Sequence, residues 1–318
     1  MGQTEAAVDR LEASDDPNGL SRAWRLLELA NGVSGRYGAA GAANARAIEY
    51  AKRAGDRVLE MRLLASSAQA VLSGPMPAAE GVARCEDLIR MGEGDRRGQA
   101  VTLAALAHLR AMVGDFELAR DDYQRGREIL DELGLRFDAS LISIDSGPVE
   151  LLAGDPVAAE GELRKDYDAL DAMGERNYIS TIAGLLAEAL CRQGRFEEAL
   201  SHVTFCEAIA APSDVYSQYL WRGIKGKLAA RDGAGDEGVE LARSGVVETR
   251  ASDDLEGQAN ALMFLAEANA AAGRSDDAMQ SAREACELFE TKGNVVSARR
   301  ARAFAAGGIV QPDPGVPA

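Results

Sequence analysis

One stretch of this 318-residue chain spells a phosphate-binding loop, Gly233-Ala234-Gly235-Asp236-Glu237-Gly238. A G-x-G-x-x-G loop works by following a strand and offering bare backbone amides to pyrophosphate at a helix N-terminus. Here the preceding pattern is helical, and Asp236 and Glu237 already place two carboxylates at the positive helix end. The segment reads as a turn. No G-x-x-x-x-G-K-[ST] occurs, so nothing points to nucleotide hydrolysis. His108 and His202, the only histidines, are far apart and have no nucleophile or metal-ligand pattern beside them. Cys85, Cys191, Cys206 and Cys286 form no C-x-x-C pair and read as small buried thiols. Acid pairs such as Asp121-Asp122, Asp253-Asp254 and Asp276-Asp277 do not face each other on a helix, so they read as solvated faces or first-turn charges. These residues predict no catalytic site, no cofactor and no metal centre: the chain is expected not to be an enzyme.

The elements that position these residues are announced by composition. Hydrophobic residues make up 47% of the chain but aromatics only 5%, which suits close packing of small-faced helices. A net charge of −16 repels phosphate backbones and anionic lipid, so neither nucleic acid nor membrane is an expected partner. The richest apolar stretch, 100–114, carries His108 and Arg110 and spans no bilayer. Met1-Gly2-Gln3-Thr4-Glu5 lacks the basic and apolar regions of a signal peptide, and the expectation is a cytoplasmic protein.

Glycine falls at every twentieth position from Gly74 to Gly194, and the flanking residues divide this ladder into two alternating rungs. The inner rung, Gly35, Gly74, Gly114, Gly154, Gly194, Gly233 and Gly273, recurs every 39 or 40 residues. The outer rung is Gly55, Gly94, Gly134, Gly174 and Gly293, with Pro212-Ser213-Asp214 and Ser252-Asp253-Asp254 standing where it is missing. Periods of 20 to 50 residues mean helical arrays. Five residues after each inner glycine stands a small residue (Ala40, Ala79, Ala119, Ala159, Ala199, Gly238, Ala278), and seven before stands Ser67, Ala107, Gly147, Ala187, Gly226 or Ala266. Small residues facing small residues let paired helices approach closely. The fold expected is all-α: an α-solenoid of about seven 40-residue hairpins over residues 20–306, closed by a capping helix from Val295. Pro148 falls inside the helix predicted over 137–153 and should kink or break it, because it removes the hydrogen bond to Ile144. Residues 1–19 read as a short helix and linker, a possible remnant of an earlier repeat in a longer chain, and 307–318 as a Pro/Gly-rich disordered tail.

With small residues at those offsets, residues 20–293 resemble the tetratricopeptide repeat (TPR) family, departing from it in the 40-residue period and in the glycine that replaces the helix-ending proline. Phrases such as Leu151-Leu152-Ala153-Gly154-Asp155-Pro156 and Leu288-Phe289-Glu290-Thr291-Lys292-Gly293-Asn294 look like the C-terminal repeats of actinobacterial multidomain regulators, where a cyclase or DNA-binding module and a signalling ATPase precede the array. The resemblance implies a protein-binding, regulatory role, with any cyclase or ATPase activity lying in domains outside this chain.

In such an array the first helices line the concave face. Offsets from each inner glycine place Met61, Leu64, His108, Met112, Leu141 and Ile144 there in the N-terminal half, with Val71, Leu72, Val101, Leu151 and Leu152. In the C-terminal half the same offsets give Glu188, Arg192, Lys227, Arg231 and Glu267. The apolar members serve equally well as core, since a one-residue shift turns a helix face by about 100°. The expected function is non-catalytic binding of a protein, a peptide or another domain of the same polypeptide in this groove. The alternative is a small-ligand sensor whose curvature controls an attached ATPase, cyclase or transcription module. Oligomeric state is open.

Overall fold

The computed structural model describes residues 16–307; the short N-terminal helix and the C-terminal tail expected from the sequence lie outside them. Sixteen α-helices run through the described residues: α1 (Pro17–Val33), α2 (Tyr37–Ala54), α3 (Arg57–Ser73), α4 (Ala78–Met91), α5 (Arg96–Val113), α6 (Phe116–Glu132), α7 (Arg136–Ala139), α8 (Ser143–Ala153), α9 (Pro156–Ala172), α10 (Tyr178–Arg192), α11 (Phe196–Ile209), α12 (Val215–Arg231), α13 (Gly235–Thr249), α14 (Leu255–Ala271), α15 (Ser275–Lys292) and α16 (Val295–Ala305). No strand is present among them. The first helix begins at Pro17, earlier than the expected turn over 14–19, because Asp16 accepts the Gly19 amide at 3.0 Å and proline suits the first helical position.

Helices pair into seven hairpins as the glycine ladder requires, and every rung glycine except Gly74 adopts positive φ. At Gly74 (φ −76°) the run Gly74-Pro75-Met76-Pro77 makes a different turn and shifts the register by one. Ala68 and Ala78 are therefore the buried pair at that crossing, and Ala79 points to solvent. Elsewhere the small-residue columns are buried as expected. At the tightest crossing, a Cβ on Gly226 would lie 2.6 Å from the Gly238 carbonyl, and one on Gly238 would lie 2.5 Å from that of Gly226.

The helix expected over 137–153 is broken at residues 140–142. The amides around the break bond three residues back, Ile142 to the Ala139 carbonyl at 3.4 Å among them, and the Ser143 amide is left to a side chain. Asp166 accepts from the Ser143 amide at 2.9 Å, and Arg127 donates to the Ala139 carbonyl at 3.0 Å and to Asp166 at 2.7 Å. A buried ion pair from α6 and α9 thus satisfies both halves of the gap one turn before Pro148.

Consecutive first helices from α3 to α14 pack side by side, and the array curls until its end meets its beginning, with α14 against α3 and α16 against α5. The core is a series of apolar clusters following the chain around this ring. Hydrogen bonds and an ion pair cross the closing seam, and beside them Val296 packs on the cluster that runs from α3 to α8.

Candidate functional site

The inner face is built from the first helix of each hairpin. Leu64 and Met112 are buried in the α3–α6 core, and Met61 packs half-buried on it. Leu141 and Ile144, at the broken helix, are half-buried against the neighbouring cluster. The apolar residues proposed for the N-terminal half of the groove therefore serve mainly as packing.

His108 is buried between carboxylates from two other helices: Nδ1 lies 3.3 Å from Asp145 of α8, and Nε2 lies 3.8 Å from Glu256 of α14. Burial alone would lower its pKa, but the hydrogen bonds and charges of these two acids outweigh it and lift the imidazole to about 10, so it is a cation at neutral pH. Glu256 also accepts from Asn294 at 3.2 Å. This cluster ties together α5, α8, α14 and the start of α16.

In the C-terminal half the structure joins four of the five expected residues. Lys227 on α12 donates to Glu188 of α10 at 2.6 Å and to Glu267 of α14 at 2.7 Å, while Arg192 binds Glu188 at 2.8 Å and the Leu151 carbonyl at 2.9 Å. Burial opposes the Lys227 charge, yet Glu188 and Glu267 hold its pKa above the ordinary value. Glu188, Lys227 and Glu267 all stand six residues before an inner glycine, as does His108, so hairpin stacking itself lines them up. Arg231 stands apart, 3.6 Å over the Phe196 ring and paired with Asp232.

One part of the inner face stays open. Between α1 and α3 a depression of about 390 Å³ is lined by Arg22, Arg25, Leu26, Leu29, Asp56, Val58, Leu59 and Arg62. Leu26, Leu29, Val33 and Val58 are 59%, 51%, 51% and 66% exposed, whereas the apolar residues in register with Leu26 farther along the array (Ala65, Ala105, Leu185, Ile224 and Phe264) are at 7% or less. Among the described residues, Arg22, Arg25 and Arg62 have no carboxylate within ion-pair distance, in a chain whose guanidinium groups mostly do. Arg22, Arg25 and Leu29 stand at groove offsets from Gly35, but the sequence pattern does not tell their exposure from that of their buried counterparts in later hairpins.

The other chemical motifs have structural roles. In the Gly233–Gly238 turn the Ala234 amide binds the Ala229 carbonyl at 3.0 Å, that of Gly238 binds the Ala234 carbonyl at 2.8 Å, and Asp236 pairs with Arg274. Cys85, Cys206 and Cys286 are buried, and burial pushes the Cys85 and Cys206 thiols up to about 12. His202 packs edge-on against Tyr167, and burial lowers its pKa. Among the described residues no group of His, Cys, Asp and Glu could hold a metal ion, and no helix is long and apolar enough to cross a membrane.

No protein-family model and no curated protein matches the chain. Solved structures do. A Rap protein complexed with competence and sporulation factor aligns with TM-score 0.55 at 12% identity over 90% of this chain and 85% of that one. A signal transduction ATPase with numerous domains and a tetratricopeptide repeat sensor, from Pyrococcus horikoshii, gives 0.48 at 13% over 94% and 48%. The Cut9–Hcn1 hetero-tetramer of the APC/C gives 0.38 at 11% over 84% and 57%. The likeness is one of fold: this is a helical-repeat protein. More narrowly, it is a TPR-like α-solenoid.

Proposed function

We propose that the chain is a non-catalytic interaction module of a regulatory system, binding a protein or peptide partner on its inner face. The partner could equally be a regulatory domain of the same polypeptide. The open depression between α1 and α3 carries this reading. Apolar side chains that are buried in later hairpins are bare here, and an exposed apolar stripe in a soluble array marks an interaction site. Arg22, Arg25 and Arg62 around Leu26, Leu29 and Val58 favour an amphipathic helix with carboxylates beside its apolar face. The fold's similarity to a Rap protein complexed with competence and sporulation factor supports a binding role in general.

The test uses fluorescein-labelled helical peptides with one common apolar face and Glu, Gln or Lys on the flanking positions. Anisotropy should rank binding Glu over Gln over Lys, and the variant Arg22→Glu/Arg25→Glu/Arg62→Glu should invert that order. Absence of binding, or an order indifferent to charge, would overturn the proposal. Closure of the ring favours a second reading, a sensor whose curvature changes on binding, because such a sensor needs two packings of one chain.

A further inference from the structure

Five sets of contacts close the ring, each joining residues more than a hundred positions apart; one is the buried pair of His108 with Glu256 described above. Ser252 Oγ donates to the Gly35 carbonyl at 2.6 Å, and the Asp253 amide donates to the same carbonyl at 3.0 Å. The Asp253 carboxylate accepts the amides of Tyr37 at 2.6 Å and Gly38 at 2.8 Å, at the first turn of α2. Lys292 Nζ donates to the carbonyls of Gly74 at 2.7 Å and Met76 at 2.9 Å, beyond the end of α3. Arg300 on α16 donates to the carbonyls of Leu151 and Leu152, both at 2.8 Å.

Sequential hairpins are joined differently. Their joints are shared apolar clusters, which cannot part without exposing hydrocarbon to water. Apart from Val296 and the His108–Glu256 pair, the seam joins polar groups, most of them side chain to backbone, that water can satisfy when they separate. Lys292 is also fully buried (0% exposed) with no carboxylate in contact, so closure dehydrates an ammonium group that opening returns to water. Closed and open rings therefore differ little in free energy compared with folded and unfolded chains.

We infer that the seam is a latch: the 252–254 loop and Lys292 hold the array shut over its own inner face, and release there opens the groove without unfolding any hairpin. The His108–Glu256 pair spans the same seam, so opening separates it and uncovers the α5 and α8 segment of the inner face. This rests on the inner face being the binding surface, but the latch itself is testable with no partner present.

Native-state hydrogen exchange of the full chain gives the readout. The amides of Tyr37, Gly38 and Asp253 bond across the seam and should exchange by an opening of shallow denaturant dependence, well before those of α10 and α12. In the variant Asp253→Ala/Lys292→Met their exchange should quicken by roughly tenfold or more, with far-UV helicity retained and α10–α12 protection unchanged. Equal protection of seam and α10 amides in the parent chain would overturn the inference. So would a variant in which every segment loses protection together, since the ring would then open only by unfolding. Failure of the peptides above with a working latch would leave the latch standing and reject the binding surface.

Discussion

At the residue scale, Asp254 shows how ring closure strains its own charges. It caps α14, accepting the Gly257 amide at 2.9 Å, yet it is buried at the seam with Glu256 on its own helix and His108 and Lys292 facing it from α5 and α15. Burial first, and the Glu256 charge with it, raises the carboxyl from 3.8 to about 7. A folded-state pKa above the unfolded one gives stability that is complete below about pH 4 and lost as pH rises through about 7. His108 acts in the same sense at higher pH, its contribution complete below 6.5 and lost through about 10. Lys292, which burial holds below its ordinary value, opposes it at the alkaline end, so the informative window is pH 5 to 8. The melting temperature of the parent should fall across that window. Asp254→Asn, which keeps an acceptor for Gly257 and carries no charge, should flatten the decline; parallel melting curves for the two proteins would reject this account.

Among the elements, the hairpins were legible because their signals are local: the inner glycines, the small columns beside them and the aspartate caps all lie within one repeat of what they determine. Pro148 was legible as a disruption. The position of the break was not, because Arg127 and Asp166, which satisfy the Ala139 carbonyl and the Ser143 amide, sit on two other helices and look like ordinary surface charges in a linear reading. Both are buried, and Arg127 also binds Glu162 at 2.8 Å. Asp166→Ala leaves Arg127 with Glu162 alone and strips the buried Ser143 amide of its acceptor, so it should cost about 1–3 kcal/mol in urea unfolding. The triple variant Arg127→Met/Asp166→Leu/Glu162→Gln should recover part of that loss, since no charge is then left unpaired. A single-variant loss below about 1 kcal/mol would mean that water repairs the break as well as the pair does.

For the whole molecule, closure was not legible. The ring shuts through carbonyls and amides of residues 35–38, 74–76 and 151–152, and a backbone group carries no residue type for a sequence pattern to register. The consequence concerns cooperativity. An open solenoid is nearly one-dimensional, and its end repeats, having one neighbour each, unfold before its middle. Here the first hairpin has a second neighbour, since its turn is bonded to the 252–254 loop. The chain's two tryptophans report on the right places, Trp24 in α1 and Trp221 in α12. In Trp24→Phe and Trp221→Phe single-tryptophan proteins, fluorescence melts should have coincident midpoints, because the seam lends hairpin one the stability of the array. Placing Asp253→Ala/Lys292→Met in both backgrounds should move the Trp24 transition below that of Trp221. Separate transitions already present with an intact seam would show that closure adds no coupling and that the array unfolds as an open solenoid does.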